Sequence, residues 1–242
     1  MRTKIISCLT FIHFIWSTIV CGQVKTGPVP SFVEALPVFE SKLTLKDASD
    51  GWLYSIRDIQ VDVASKTFFQ HYKRKIFTEA GVQNASEITV VYDPVYEKVI
   101  FHSIQIMRMG ERIDHLNLNN IKVIQQESNK EKHLYDGSLT AYMVLEDVRV
   151  NDEIEYSYSV IGLNPIYKGK LSYSHYLGFY DKSDQLMLSV MYPQSCPLKY
   201  KIYNSKVQPK EEQSAQSKRY KIYLENLEGT ICDSDLPSWY DP

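Results

Sequence analysis

From Trp52 onward, apolar and aromatic residues recur at every second position along most of this chain, a period that commits it to β-strands. The clearest run is Glu153-Ile154-Glu155-Tyr156-Ser157-Tyr158-Ser159-Val160. Its even positions are apolar or aromatic and its odd ones polar, so one face is expected to pack and the other to meet water. The same alternation marks Arg57 to Val63 (Ile59, Val61, Val63), Ile88 to Tyr92, Leu186 to Tyr192, Leu198 to Ile202 and Tyr220 to Leu224. Lys206 to Lys218 is polar and reads as a long solvated hairpin loop. The pattern predicts one short helix, around Ser31 to Leu36, ended by Pro37.

Turn chemistry falls between these runs at Asp93-Pro94, Met109-Gly110-Glu111, Asp136-Gly137, Asn151-Asp152 and Asn164-Pro165. About 11 to 14 strands in one chain must form two packed sheets or close on themselves, because a single open sheet would leave one face bare. The expected fold is therefore all-β: a two-sheet β-sandwich, mostly antiparallel, with little helix after the signal segment.

That segment is residues 1–22. Arg2 and Lys4 precede an apolar run from Ile5 to Val20, and the small Cys21 and Gly22 suit cleavage before Gln23. The run is too short for a membrane span, which wants about 20 residues, so export without a later span is expected. Residues 23–50 then form a lead-in and 51–242 one sandwich domain. Of the 27 basic residues, removal of Arg2 and Lys4 leaves 25 against 29 acidic ones, a balance of −4. Nucleic acid and anionic membrane surfaces, which favour a basic stripe, are poor partners for such a chain.

Several segments resemble the domain-of-unknown-function family numbered 3857. They are Arg108-Met109-Gly110 with Asp114, Leu134-Tyr135-Asp136-Gly137, Leu145-Glu146-Asp147-Val148, Asp152 through Tyr158, and Asn164-Pro165. The resemblance implies an exported β-sandwich of the bacterial cell envelope, periplasmic or secreted, usually N-terminal to a transglutaminase-like domain. The ending Leu236-Pro237-Ser238-Trp239-Tyr240-Asp241-Pro242 looks like the junction before that domain. Asn151 stands where the family pattern usually has Gly; Asn reaches the same left-handed conformation. The family brings no catalytic residues and no cofactor.

The residues point the same way. Once the signal segment is gone two cysteines remain, Cys196 and Cys232, a candidate disulfide in an oxidising compartment. As a nucleophile, Cys196 is poorly placed between Pro193 and Pro197, away from any helix N-terminus. His71, His102, His115, His133 and His175 are scattered without metal-site spacing. His102 is expected to share a face with Ile100, Ile104 and Ile106, and His175 one with Leu171, Tyr173 and Leu177. Asp233-Ser234-Asp235 lacks the rest of a calcium loop. Glu153 and Glu155, on one strand face roughly 7 Å apart, could be the paired acids of a glycosidase. With Glu146, Asp147 and Asp152 they read better as a charged rim. Lys73-Arg74-Lys75 reads as a solvated strand end.

The compositional excess is tyrosine, 18 in all, clustered at Tyr167, Tyr173, Tyr176 and Tyr180 and at Tyr192, Tyr200 and Tyr203. Exposed, these would stack on sugar rings or anchor a protein interface. The expectation is thus a non-catalytic accessory or interaction module with a protein or transglutaminase-like partner. The alternatives are a carbohydrate-binding module using the tyrosines and a cysteine-dependent hydrolase or acyl transferase.

Overall fold

The computed structural model describes residues 23–125 and 137–230. The expected signal segment, Leu134-Tyr135-Asp136, His133, Asp233-Ser234-Asp235 and the closing Leu236 to Pro242 lie outside the described residues. The large sheet holds β1 (Val24–Thr26), β2 (Trp52–Asp62), β3 (Thr67–Ile76), β5 (Lys98–Arg108), β6 (Glu111–Asp114), β9 (Glu153–Ile161), β10 (Ser183–Pro193), β11 (Lys210–Gln213) and β12 (Ser217–Leu227). Its order is β1-β5-β9-β3-β2-β10-β12-β11, with β6 paired to β5. The small sheet is β4 (Glu87–Tyr92), β8 (Leu139–Val144) and β7 (Lys122–Ile124), in the order β4-β8-β7. All pairings are antiparallel except β1 with β5 and β2 with β10. The expected two-sheet, mostly antiparallel sandwich is what forms. No helix among the described residues is long and apolar enough to cross a membrane.

Period-two patterning explains the core. Ile154, Tyr156 and Tyr158 of β9 share a face with Ile104 and Ile106 of β5, and meet Ile88, Val90 and Tyr92 of β4 and Ala141 and Met143 of β8. Strand β4 alternates buried and exposed along its whole length, as a strand with one wet face should.

The predicted helix at Ser31 to Leu36 does not form. The Glu34 N–H and C=O are both taken by the Gln60 side chain, which removes the groups an i→i−4 ladder would need. The one α-helix among the described residues, α1 (Glu79–Ala85), was not expected. Two turns are too short to show a 3.6-residue period; the legible signal was Thr78, whose hydroxyl caps the Gly81 N–H, followed by acidic Glu79. Gly81 is required there, since a Cβ would lie 2.0 Å from the Gly51 carbonyl oxygen.

Near the C-terminus, Leu198 to Ile202 is irregular rather than a strand. The edge of β12 is taken instead by β11, drawn from the segment expected to be loop, and Tyr200 packs its ring on Tyr220.

The residues that resemble the family motif meet at the β8–β9 connection. Arg108 donates through Nε and Nη2 to the two carboxylate oxygens of buried Asp152 at 3.0 and 2.8 Å, and through Nη1 to Asp147 at 2.9 Å. The latch fastens this turn to β5. Asn151 has φ 73°, the left-handed conformation expected of it. Asn151→Gly is expected to leave stability nearly unchanged, while Asn151→Val costs about 1 to 2 kcal/mol from the Cβ clash. Urea melts check this, and a harmless Val would remove the turn argument.

Candidate functional site: a polar sheet face beneath an N-terminal strap

The face of the large sheet turned away from the core is largely covered, with Ser157, Ser159, Asp58 and Gln60 buried on it. Residues 27–44 cross it as an irregular strap, and side chains of the sheet grip its main chain. Gln60 accepts from the Glu34 N–H at 2.9 Å and donates to the Glu34 carbonyl at 2.7 Å. Gln185 donates to Pro37 O at 3.0 Å, Arg219 to Phe32 O at 2.7 Å and Lys75 to Leu43 O at 3.4 Å. The His102 Nδ1 lies 2.9 Å from Gly27 O. One strap side chain is also held: Glu34 pairs with Arg219 at 3.2 Å and Lys221 at 2.7 Å. No residue from 23 to 50 is itself buried, so the strap is fastened by polar contacts and not by an apolar anchor.

Under it the cross-strand rows are Ser103–Ser157–His71–Asp58 and Ser159–Phe69–Gln60–Ser189. This corrects the expectation that the odd positions of β9 are solvated. Ser157 and Ser159 are buried, with Ser157 Oγ 2.7 Å from Ser103 Oγ. β9 is an inner strand covered on both faces, so polarity there means hydrogen bonding, not exposure. A partial signal was present: Asp58, Gln60, Ser157, Ser159, Gln185 and Ser189 are short or amide side chains where a solvated strand face would carry long charged ones.

His71 sits at the centre, its Nε2 2.9 Å from Glu155 and its Nδ1 3.7 Å from Asp58. Burial works against the charged ring, but the two carboxylates Asp58 and Glu155, the latter hydrogen-bonded to it, outweigh that and hold His71 up at about 9. The hydrogen bond from His71 in turn keeps the Glu155 carboxyl below its usual range despite burial. An imidazolium between two carboxylates has no lone pair with which to take a proton from Ser157.

The other candidates are dispersed. Glu153 and Glu155 do not form a wet rim: Lys73 pairs with Glu153 at 2.7 Å and reaches Glu155 at 4.0 Å. Of the acidic cluster only Glu146 and Asp147 are exposed. Lys73-Arg74-Lys75 is mid-sheet, and Arg74 is buried. A β-bulge between Phe101 and Ser103 turns His102 out of the Ile104 and Ile106 face onto the polar one, where its Nε2 meets Ser159 Oγ at 2.8 Å. His175 lies in no strand; its ring stacks on Tyr173. Among the described residues no group of three His, Cys, Asp or Glu side chains could hold a metal ion. Cys196 is exposed in the turn after β10, and Cys232, its candidate partner, lies outside the described residues. Of the clustered tyrosines, Tyr192 is buried against Tyr220, whereas Tyr167, Tyr173, Tyr176, Tyr180, Tyr200 and Tyr203 are exposed.

On the core side two arginines, Arg74 buried and Arg57 half-buried, stand among aromatic rings. Arg74 donates to Ala85 O at 2.8 Å, to Glu87 O, to Tyr54 Oη at 3.1 Å and to Tyr156 Oη at 2.8 Å, tying the large sheet to α1 and β4. The Arg57 guanidinium carbon lies 4.2 Å from the Tyr54 ring centre and 3.5 Å from that of Phe179.

A two-layer β-sandwich that holds an extended segment of its own chain on a polar face is thus the class of protein defined here. The model of DUF3857, a domain of unknown function with a solved structure, matches residues 62–230, and the chain belongs to that family. The strap precedes the matched stretch. Among solved structures the chain is similar to that of a "putative protease" from Parabacteroides distasonis ATCC 8503, at 17% identity and a TM-score of 0.65. The match covers 79% of this chain and 38% of that one, so the chain spans well under half the length of that protein, and the likeness is one of fold. Comparison with curated proteins gives no match.

Proposed function

We propose that this protein is an exported, non-catalytic interaction module of the cell envelope that works beside a transglutaminase-like domain. The observation that carries the reading is the polar face, where Gln60, Gln185 and Arg219 take hold of main-chain groups of an extended segment. Main-chain capture of this kind is how non-catalytic modules bind extended polypeptide. Support for the absence of catalysis comes from His71, held charged between two carboxylates where Ser157, His71 and Asp58 adjoin. The solved relative, of which this chain covers 38%, supports a module that accompanies other domains.

Titration calorimetry of the mature protein against a transglutaminase-like domain from the same envelope tests the partner. Binding at micromolar strength is expected, weakened about tenfold, or 1.4 kcal/mol, in the Gln60→Leu, Gln185→Leu double variant. Absence of heat overturns the partner assignment. Hydrolysis of peptide or ester substrates by the purified chain would overturn the non-catalytic reading.

A further inference from the structure

Arg57 is the anomaly of the core side. It lies on β2 in the cross-strand row Tyr156–Tyr72–Arg57–Leu186, half-buried, and no acceptor within the described residues takes a hydrogen bond from its guanidinium. Its Nε is buried and without a partner. Burial lowers its pKa to about 10, with the Tyr54, Tyr72 and Asp181 groups acting against that. The carboxylate in that set, Asp181, acts on Arg57 through its charge without a hydrogen bond to it; it accepts instead from the Ser49 hydroxyl at 2.9 Å and the Ser49 N–H at 3.3 Å. A half-buried guanidinium that makes no hydrogen bond is costly, and native proteins rarely keep one without a use.

A second orphan stands beside it. His175 Nε2 is buried and also lacks a partner, and burial together with the positive charge of Arg57 lowers the His175 pKa to about 4. Tyr173 stacks on the imidazole and Phe179 meets it edge-on at 6.4 Å. Both His175 and Phe179 belong to residues 163–182, a stretch with no strand and a single 3-10 turn at Pro165–Tyr167. None of its residues is buried, so it lies over the sheet as a flap with little apolar anchoring. Irregular connections of this length in compact domains commonly cover binding sites.

We propose that Arg57 and His175, beneath the flap, form a binding site for a carboxylate ligand. The rings of Tyr54 and Phe179 cover the guanidinium with π-faces, which accept no hydrogen bond from its in-plane N–H groups. What remains available is the planar fork, which matches a carboxylate bidentately. His175 adds a donor once the incoming negative charge offsets the repulsion from Arg57.

Thermal melts of the full mature chain at constant ionic strength test the site. Sodium benzoate and sodium acetate are expected to raise the melting temperature by a few degrees with saturable dependence, while phosphate and chloride give less than half that shift. Arg57→Gln should remove the dependence. Equal stabilisation of Arg57→Gln, equal stabilisation by phosphate, or no saturable effect on the native protein each overturns the proposal. Should Arg57→Gln not fold, the His175 C2 proton resonance of the native protein decides. A shift to higher pKa on adding benzoate is expected, and an unmoved titration overturns the site.

Discussion

Unfolding free energy is expected to fall by about 3 kcal/mol between pH 6.5 and pH 9, and His71→Gln to remove most of that slope. The folded protein holds the His71 proton up to about pH 9, whereas the unfolded chain releases it near 6.5. Within that window the native state binds more protons, so raising the pH favours unfolding. The contribution is fully present below 6.5 and gone above 9. The other shifted histidines act on the acid side and with opposite sign. Burial lowers His102, and lowers His175 to about 4, so the unfolded chain binds their protons first and stability rises with pH up to 6.5. The shifted tyrosines all move upward from 10, outside the window. Urea melts at half-unit steps from pH 5 to 9.5 should therefore show a maximum near 6.5. A profile that is flat from 6.5 to 9, or one unchanged in His71→Gln, would mean that the ion triad with Asp58 and Glu155 does not hold the ring charged.

Arg74→Met should destabilise by about 3 to 5 kcal/mol, while Arg57→Met changes stability by about 1 kcal/mol or less. Both substitutions delete a guanidinium among tyrosine rings, buried at Arg74 and half-buried at Arg57, and keep much of its volume. They differ in what is left behind. Without Arg74 the carbonyls of Ala85 and Glu87 and the hydroxyls of Tyr54 and Tyr156 lose a donor, and the join between the large sheet, α1 and β4 is unfastened. Without Arg57 no hydrogen bond is broken; stacking is lost and an unpaired charge is relieved. Denaturant melts at pH 7 compare the two directly. Similar costs for both would mean that ring stacking, not the four hydrogen bonds, dominates at Arg74.

Alternation made Ile154, Tyr156 and Tyr158 legible as one packed face, and likewise Ile88, Val90 and Tyr92. The left-handed turn at Asn151 was legible from a short polar residue between two strand runs. These are local statements: side-chain direction in a strand follows from backbone geometry, and turn residues follow from allowed φ. The face opposite was misread. Ser157, Ser159, Asp58 and Gln60 alternate as solvated residues do, and nothing in a strand's own pattern records that residues 27–44 will lie across it. The bulges at Ser55 and His102 shift the alternation by one, and a bulge has no period of its own to reveal it. The edge of β12 went to Lys210–Gln213 and not to the better-patterned Leu198–Ile202, because pairing is settled by where the hairpin turn places the chain.

The candidate sites divide along the same line. Sequence alone determined the strand class, the inward face of each strand against the small sheet, the family, and the scatter of Cys and His residues along the chain. Tertiary structure alone decided that His71 lies between Asp58 and Glu155, that Gln60 takes both backbone groups of Glu34, and that Arg57 Nε and His175 Nε2 are both buried without a partner. Each of those joins residues from segments far apart in the chain. Their energies come from burial and from distances of a few ångströms, quantities that exist only once the sheet has closed over them.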